Sequence, residues 1–200
     1  MQVYNFEQRS PEWFEIRKLK MTASHAQAIG NCGKGLDSYI QELCQEYYST
    51  AEKEEFSNRH TERGNDLEDS AAFLYQCETG NKTGKVGFVT WNDYVGCSPD
   101  LLVGDDGLAE IKCPDDKAFF DLLLTGEIDT KYIWQMQMQM LVCGRFWCDF
   151  VAYNPHYRKD IIIIRVQRDE KKQAELLKGF ALGEQKIRIM QATLKTRGIE

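Results

Sequence analysis

The chain has 200 residues, of which 42% are hydrophobic and 28% are charged, and its formal net charge is −6. This is the composition of a globular protein with enough apolar material for a core. No run of residues approaches the roughly 20 apolar residues of a transmembrane helix, so a membrane span is excluded.

The cysteines and the N-terminal residues bear on the cellular compartment. Seven cysteines, an odd number without a CxxC pair, predict neither a disulfide framework nor a structural zinc site. An iron–sulfur cluster on four cysteines is the alternative, but no third cysteine follows Cys143 and Cys148, and buried reduced thiols are the better interpretation. The first residues lack the basic-then-apolar pattern of a secretory signal, so we expect an intracellular protein.

Total charge and local charge give different indications about a polyanionic partner. The net charge of −6 disfavours one. However, acidic side chains dominate residues 41–78, whereas basic side chains dominate residues 157–198. Because local potential steers a polyanion, nucleic acid remains possible.

Helix signals dominate the N-terminal part of the chain. Ser10 has the character of an N-cap and Pro11 that of a first helical residue, which predicts a helix to about Leu19. A second helix is expected from residue 24 to a flexible glycine-rich turn at 30–35. Apolar residues at helical spacing predict two further helices, at 37–56 and 61–75.

Strand signals begin near residue 86. The predicted strands are 86–91, 94–103, 108–113, 146–153 and 160–166, with a hairpin turn at 104–107. Helices are predicted at 115–142, with a glycine break near 125–129, and from about 168 to 194. The segment QMQMQM (135–140) has a strand-like period of two, but its length and lack of β-branched residues favour a helix. We therefore expect a single α/β domain over residues 1–200, with a central mixed β-sheet flanked by helices.

Two acids and a lysine converge on the predicted hairpin. Glu110 and Lys112 share one face of a strand while Ile111 faces the core, and the turn brings Asp100 back beside them. Two carboxylates and one ammonium are suited to a divalent-metal phosphodiesterase, because hard oxygen ligands hold Mg²⁺ and leave room for phosphate and water. The alternative is a surface hairpin with solvated charges. Pro99 and the closing Cys113-Pro114 favour the functional interpretation.

The chain resembles a known family over most of its length. The SPD and E-x-K segments are similar to the PD-(D/E)xK nuclease superfamily, and more closely to its lambda-exonuclease, or YqaJ-type viral recombinase, family. The resemblance rests on W-x3-R and TAS (13–24), RGNDLED (63–69), CSPD (97–100), EIKCP (110–114), YIWQMQ (132–137) and the segment from Asn154 to Glu170.

This resemblance implies a restriction-endonuclease-like core and a specific activity. The expected enzyme degrades one strand of double-stranded DNA processively from 5′-phosphorylated ends and leaves 3′ overhangs. The implied cofactor is Mg²⁺, as two ions, with Mn²⁺ as a substitute. A homotrimeric ring, a single-strand annealing protein as partner and the cytoplasm of a bacterial or phage-infected cell are implied as well.

The resemblance also assigns roles in the reaction centre. Asp100, Glu110 and the backbone carbonyl of Ile111 match metal ligands. Lys112 matches the catalytic lysine, and Gln135 matches a glutamine beside the attacking water and the scissile phosphate. Glu68 matches a further metal ligand. Without the resemblance, the neighbouring acids Glu62, Asp66 and Asp69 are equal candidates for that last role.

A second set of residues matches a site for DNA. Arg17, Ser24 and Ser98 match a pocket for the 5′-terminal phosphate. The DNA-entry loop expected around residues 30–37 is short here, and Lys34 is its remaining basic residue.

Two other functions remain open. One is an endonuclease on the same core, which cutting of closed circular DNA would favour. The other is a non-catalytic DNA-binding protein on a nuclease fold, against which the intact Asp100, Glu110 and Lys112 argue.

Overall fold

The computed structural model describes residues 1–50 and 59–199, and the side chains of 1–50 and 67–199. The helices are α1 (Pro11–Arg17), α2 (Ala26–Asn31), α3 (Lys34–Tyr48), α4 (Arg59–Thr79), α5 (Asp116–Thr125), α6 (Thr130–Cys143) and α7 (Glu170–Thr196). The strands are β1 (Gln2–Tyr4), β2 (Met21–Thr22), β3 (Thr83–Gly84), β4 (Phe88–Asn92), β5 (Val95–Cys97), β6 (Leu101–Val103), β7 (Gly107–Lys112), β8 (Trp147–Tyr153) and β9 (Ile161–Gln167).

Local capping explains where several helices begin and end. Ser10 accepts a hydrogen bond from the backbone N–H of Trp13 ahead of α1. Asp115 and Asp129 cap α5 and α6 in the same way, which satisfies N–H groups that have no partner inside the helix. Gly126 ends α5 with a φ of 66°, a left-handed conformation that favours glycine. The predicted glycine break between these helices is thereby confirmed.

The fold class is confirmed, but the strands form two sheets rather than one. One sheet has the order β1-β4-β5-β2 and the other β3-β6-β7-β8-β9. The predicted strand 94–103 divides into β5 and β6 at Ser98, Pro99 and Asp100. Proline lacks an N–H for the ladder, so the chain leaves one sheet here and enters the other. Asp100 thus lies where the two sheets meet along the chain.

The second sheet holds the predicted hairpin in its predicted register. Leu101 pairs with Ala109 across the β6–β7 turn, and β7 then pairs in parallel with β8. Strands β8 and β9 are antiparallel. Helices α5 and α6 form the crossover between β7 and β8, as a parallel connection requires.

Helices cover both faces of the second sheet. Ala109 and Ile111 pack with Ala71 and Tyr75 of α4 on one face. Leu108 belongs to the larger core that includes α6. The alternation along β7 therefore turns Glu110 and Lys112 toward α6 and Ile111 toward α4. The predicted shared face of Glu110 and Lys112, opposite to Ile111, is confirmed.

Helix α4 is fixed to the sheet by a buried polar network. The hydroxyl of Tyr75 donates to Asp149 Oδ2 at 2.7 Å. Arg165 donates to both oxygens of the same carboxylate, at 2.8 and 2.9 Å. Asp149 is 1% exposed, so these donors compensate a charge that would be costly to bury alone. The network holds the helix that carries Glu68.

Several helix bounds differ from the prediction, and the largest differences lie at α3 and at residues 30–35. Helix α3 ends at Tyr48, because Ser49 is extended, whereas the prediction ran to residue 56; residues 51–56 lie outside the described residues. The expected flexible turn at 30–35 is mostly helical, since α2 continues to Asn31 and α3 begins at Lys34.

QMQMQM lies in α6, so the helical interpretation is confirmed. Within the described part of the chain, no helix is long and apolar enough to cross a bilayer.

Candidate active site

Asp100, Glu110 and Lys112 lie together at the β6–β7 hairpin. The carboxylate of Asp100 accepts a hydrogen bond from the backbone N–H of Ile111 at 2.7 Å. The ammonium of Lys112 donates to Glu110 Oε1. Both contacts follow from the antiparallel register and from the two-residue alternation of β7. The sequence pattern therefore predicted this convergence correctly.

Two glutamines of α6 hold the buried carboxylate of Glu110. Gln135 Nε2 donates to Oε1 at 2.5 Å, and Gln139 Nε2 donates to Oε2 at 2.6 Å. Glu110 is 1% exposed, so both oxygens depend on protein donors. The two amides are one helical turn apart and reach the carboxylate from the same face of α6.

The electrostatics of the cluster are those of crowded carboxylates with one cation. Burial and the negative charge of Glu110 raise the pKa of Asp100 well above its usual range. Burial disfavours the charged form of Lys112, but Glu110 and Asp100 outweigh it, so the pKa of Lys112 is raised. Lys112 is therefore a firmly charged ammonium at this site, and a further positive charge would relieve Asp100.

Glu68 extends the cluster from α4. It lines the same cavity of about 690 Å³ as Asp100, Ile111 and Lys112. Its Oε2 accepts from Arg9 Nη2 at 3.0 Å. The structure also separates Glu68 from one competing candidate, because Asp69 does not line that cavity and is paired with Lys85 at 2.5 Å. The other two candidates, Glu62 and Asp66, have side chains outside the described residues.

The donor set fits a hard divalent cation. Asp100, Glu110 and Glu68 supply carboxylate oxygens. Ile111, which lies between Glu110 and Lys112 in β7, adds a backbone carbonyl oxygen. Oxygen ligands of these kinds are the ones that Mg²⁺ prefers. Among the described residues, no three His, Cys, Asp or Glu side chains form a ready-made metal cage. The oxygens are instead held by Lys112, by Arg9 and by N–H donors. An ion would therefore exchange with these donors.

A second group of predicted residues lies beside the reaction centre. The indole N–H of Trp13 donates to Ser98 Oγ at 2.8 Å, two residues ahead of Asp100. The guanidinium of Arg17 lies 4.0 Å above the Trp13 ring. Burial lowers the pKa of Arg17, and its guanidinium makes no hydrogen bond or ion pair with any residue whose side chain the structure describes. Arg17 thus presents a poorly solvated charge that suits an anion.

Ser24 and Lys34 are placed differently. Ser24 Oγ lies 3.3 Å from Thr22 Oγ1 and 3.2 Å from His25 Nδ1. Thr22 in turn contacts the hydroxyl of Tyr39, which connects Ser24 to α3. Lys34 is exposed in the first turn of α3 and does not line the active-site cavity. Arg17, Ser24 and Ser98 do not line that cavity either, and Lys34 makes none of the contacts given above for those three residues.

Sequence reasoning missed two residues of this site. Gln139 lies one helical turn after Gln135, and this spacing was the signal that could have indicated its contact with Glu110. Arg9 gave no signal, because an arginine ahead of a helix cap has no characteristic spacing. Its partner Glu68 is 59 residues away.

Comparisons with known proteins identify the family and similar folds. The family model for the YqaJ-like viral recombinase domain matches residues 12–145. An alkaline exonuclease from Laribacter hongkongensis, LHK-Exo, superposes with a TM-score of 0.80 at 34% identity, covering 94% of this chain and 99% of that one. LHK-Exo in complex with dAMP gives the same TM-score at 32% identity and the same coverage of both chains.

A more distant structure shows the fold alone. A phage-related exonuclease from Haemophilus somnus 129PT superposes with a TM-score of 0.65 at 16% identity, covering 90% of this chain and 98% of that one. A search among curated proteins gives no match. The likeness to solved exonucleases therefore extends over nearly the whole of both chains.

Proposed function

Because this chain belongs to the YqaJ-like viral recombinase domain family, we propose that it is a Mg²⁺-dependent exonuclease that degrades one strand of double-stranded DNA in the 5′-to-3′ direction. The observation that carries the proposal is the cluster of Asp100, Glu110 and Lys112, with Gln135 on Glu110. The LHK-Exo structure in complex with dAMP supports a DNA substrate and a mononucleotide product.

The carboxylates would hold the metal. Asp100, Glu110 and the carbonyl of Ile111 would be the ligands of one ion, and Glu68 would contribute to a second. When bound, a divalent cation lowers the pKa of a water molecule and offsets charge in the phosphorane-like transition state. Mn²⁺ should substitute for Mg²⁺, because both accept hard oxygen ligands.

Lys112 and Gln135 would act on the reacting groups. The ammonium of Lys112 is held beside Glu110, so it would orient the attacking water and offset negative charge on the phosphate oxygens. Gln135 donates one amide N–H to Glu110, which orients its side chain, and its carbonyl would accept a hydrogen bond from the attacking water. Attack on phosphorus breaks the bond to the 3′ oxygen and releases a mononucleotide.

Arg17, Ser98 and Ser24 would bind the 5′-terminal phosphate. Breaking the bond to the 3′ oxygen leaves the phosphate on the next nucleotide. Each turnover therefore regenerates the group that Arg17 recognises, which gives the reaction its polarity and favours processive movement. We include a homotrimeric ring and a single-strand annealing protein in the proposal, on the strength of family membership.

The test is metal-dependent digestion of DNA with labels at either end. Linear duplexes with a 5′ phosphate or a 5′ hydroxyl are compared with closed circular DNA, and Lys112→Ala serves as the inactive control. Loss of label from phosphorylated 5′ ends, absent with the variant and on circles, is expected. Cleavage of circles would instead identify an endonuclease, and no cleavage with any divalent metal would leave a DNA-binding protein.

A further inference from the structure

Arg9 lies where two cavities meet. The active-site cavity and a second cavity of about 400 Å³ are both lined by Arg9, Glu68 and Asp100. To residues whose side chains the structure describes, the guanidinium donates one hydrogen bond, from Nη2 to Glu68 Oε2, and the Arg9 side chain is 51% exposed. Other N–H groups of the guanidinium therefore remain available to a ligand that enters from either side.

The backbone fixes Arg9 beside the carboxylates. Its φ is 69°, in the left-handed region that a residue with a long side chain rarely adopts. The preceding residue, Gln8, donates to the carbonyl oxygens of Val86 at 3.0 Å and of Pro99 at 3.1 Å. Because Pro99 directly precedes Asp100, this turn is tied to the segment between β5 and β6 that carries Asp100.

The other cations of the active-site cavity are already assigned. Among the described residues lining it, the positively charged side chains are Arg9, Lys112 and Lys131. Lys112 is bonded to Glu110, and Lys131 is paired with its neighbour Asp129 at 3.2 Å. Of these three side chains, only Arg9 is paired with an acid from a different helix or strand. That acid, Glu68, is itself an expected metal ligand.

We propose that Arg9 exchanges Glu68 for a phosphate oxygen of the DNA strand when the site is loaded. This inference rests on the proposed function. In the free protein the guanidinium is the counter-ion of Glu68. In the substrate complex Glu68 serves the metal, and the planar guanidinium binds the phosphate, for which its geometry is suited.

If Arg9 exchanges in this way, its removal should change the affinity for Mn²⁺ and the affinity for DNA in opposite directions. Without the guanidinium, Glu68 is free of a competitor, and the site also loses a positive charge. Mn²⁺ should therefore bind more tightly. DNA should bind more weakly, because one phosphate contact is lost. A purely structural role of Arg9 would weaken both.

The best variant is Arg9→Gly, because glycine adopts a φ of 69° without strain and the turn should stay folded. Mn²⁺ alone, measured by electron paramagnetic resonance, is expected to bind several-fold more tightly. A 5′-phosphorylated duplex, measured with Ca²⁺ to prevent cleavage, is expected to bind about tenfold more weakly. The slope of log affinity against log salt should fall by about one.

Two further variants complete the test. Arg9→Lys keeps the charge and should restore Mn²⁺ binding toward the original value. Arg188→Gln removes an arginine paired with Glu184 that lines neither cavity, and should change neither constant. Weakening of both Mn²⁺ and DNA binding by Arg9→Gly, or no change in either, would overturn the inference. Failure of the unaltered protein to digest linear duplex would overturn the proposed function instead.

Discussion

Gln139 donates its side-chain amide to Glu110 at 2.6 Å, and both residues are 1% exposed. The donor is four residues after Gln135, which holds the other oxygen of the same carboxylate. Each oxygen of Glu110 therefore has its own amide from α6. This arrangement fixes the orientation of the carboxylate before any ligand enters.

Replacing Gln139 by Leu should reduce DNA digestion by about ten- to hundredfold, because groups that orient a metal ligand typically contribute that much. Stability should fall by about 2 kcal/mol, since the buried charge of Glu110 loses a donor. The matched control is Gln137→Leu. Gln137 is equally buried on α6, but it contacts Gln167 and Asp169. This control should cost stability while leaving activity per folded molecule unchanged; equal activity losses would contradict the prediction.

Asp100→Asn should stabilise the metal-free protein at neutral pH while abolishing digestion. The pKa of Asp100 is raised in the folded state by burial and by Glu110, whereas it is about 3.9 when unfolded. Between the unfolded-state pKa and the higher folded-state pKa of Asp100, the folded state binds more protons than the unfolded state. The free energy of unfolding therefore falls as the pH rises from the first pKa to the second, and then levels off. The asparagine removes this penalty and can still accept from Ile111. Thermal unfolding in EDTA should show a gain of about 2–4 °C for each kcal/mol relieved, growing from pH 4 upward.

Arg17→Gln should remove the preference for 5′-phosphorylated ends. The unaltered protein should digest these ends at least about tenfold faster than 5′-hydroxyl ends, because a charged hydrogen bond contributes roughly 1.5–3 kcal/mol. The variant should digest both at the same low rate. Lys18→Gln is the matched control, since Lys18 is the next residue and is paired on the surface with Glu15. A preference that survives in Arg17→Gln would show that another residue reads the phosphate.

Arg165→Leu should destabilise the fold by about 1.5–3 kcal/mol, because it leaves the buried carboxylate of Asp149 without its cation, while the 47% exposure of the Arg165 side chain lets water replace part of that interaction. Urea denaturation measures the change. Tyr75→Phe, which removes a neutral donor from the same carboxylate, should cost only about 1 kcal/mol. If both variants lost the same amount, the charge of Asp149 would not be the controlling factor.

Gly179→Ala should destabilise the packing of α7 on α2 by about 1–3 kcal/mol or more, because a Cβ there would lie 2.1 Å from the carbonyl oxygen of Ile29. Gly35→Ala is the control with the opposite sign. Its Cβ would meet the Cβ of Ala28 at 3.5 Å, an ordinary contact, and alanine favours the helix by up to about 1 kcal/mol. Thermal unfolding of both variants tests the close approach of α7 to α2 at Gly179.

Local signals in the sequence determined the elements and the heart of the candidate site. Ser10 and Pro11 specify the start of α1 through bonds within one turn. The alternation of β7 sets Glu110 and Lys112 on one face, and a short hairpin returns Asp100 to them. These features depend on residues that are close along the chain, so spacing alone predicts them.

Only the tertiary structure decided how distant residues meet. The division into two sheets follows from the break at Pro99, which hydrophobic periodicity does not reveal. Trp13 reaches Ser98 across 85 residues, and Arg9 reaches Glu68 across 59. Such contacts are chosen by the packing of whole helices and sheets against one another. The physical reason is that a contact between residues distant along the chain depends on how whole helices and sheets pack, and the local sequence around either residue does not determine that packing.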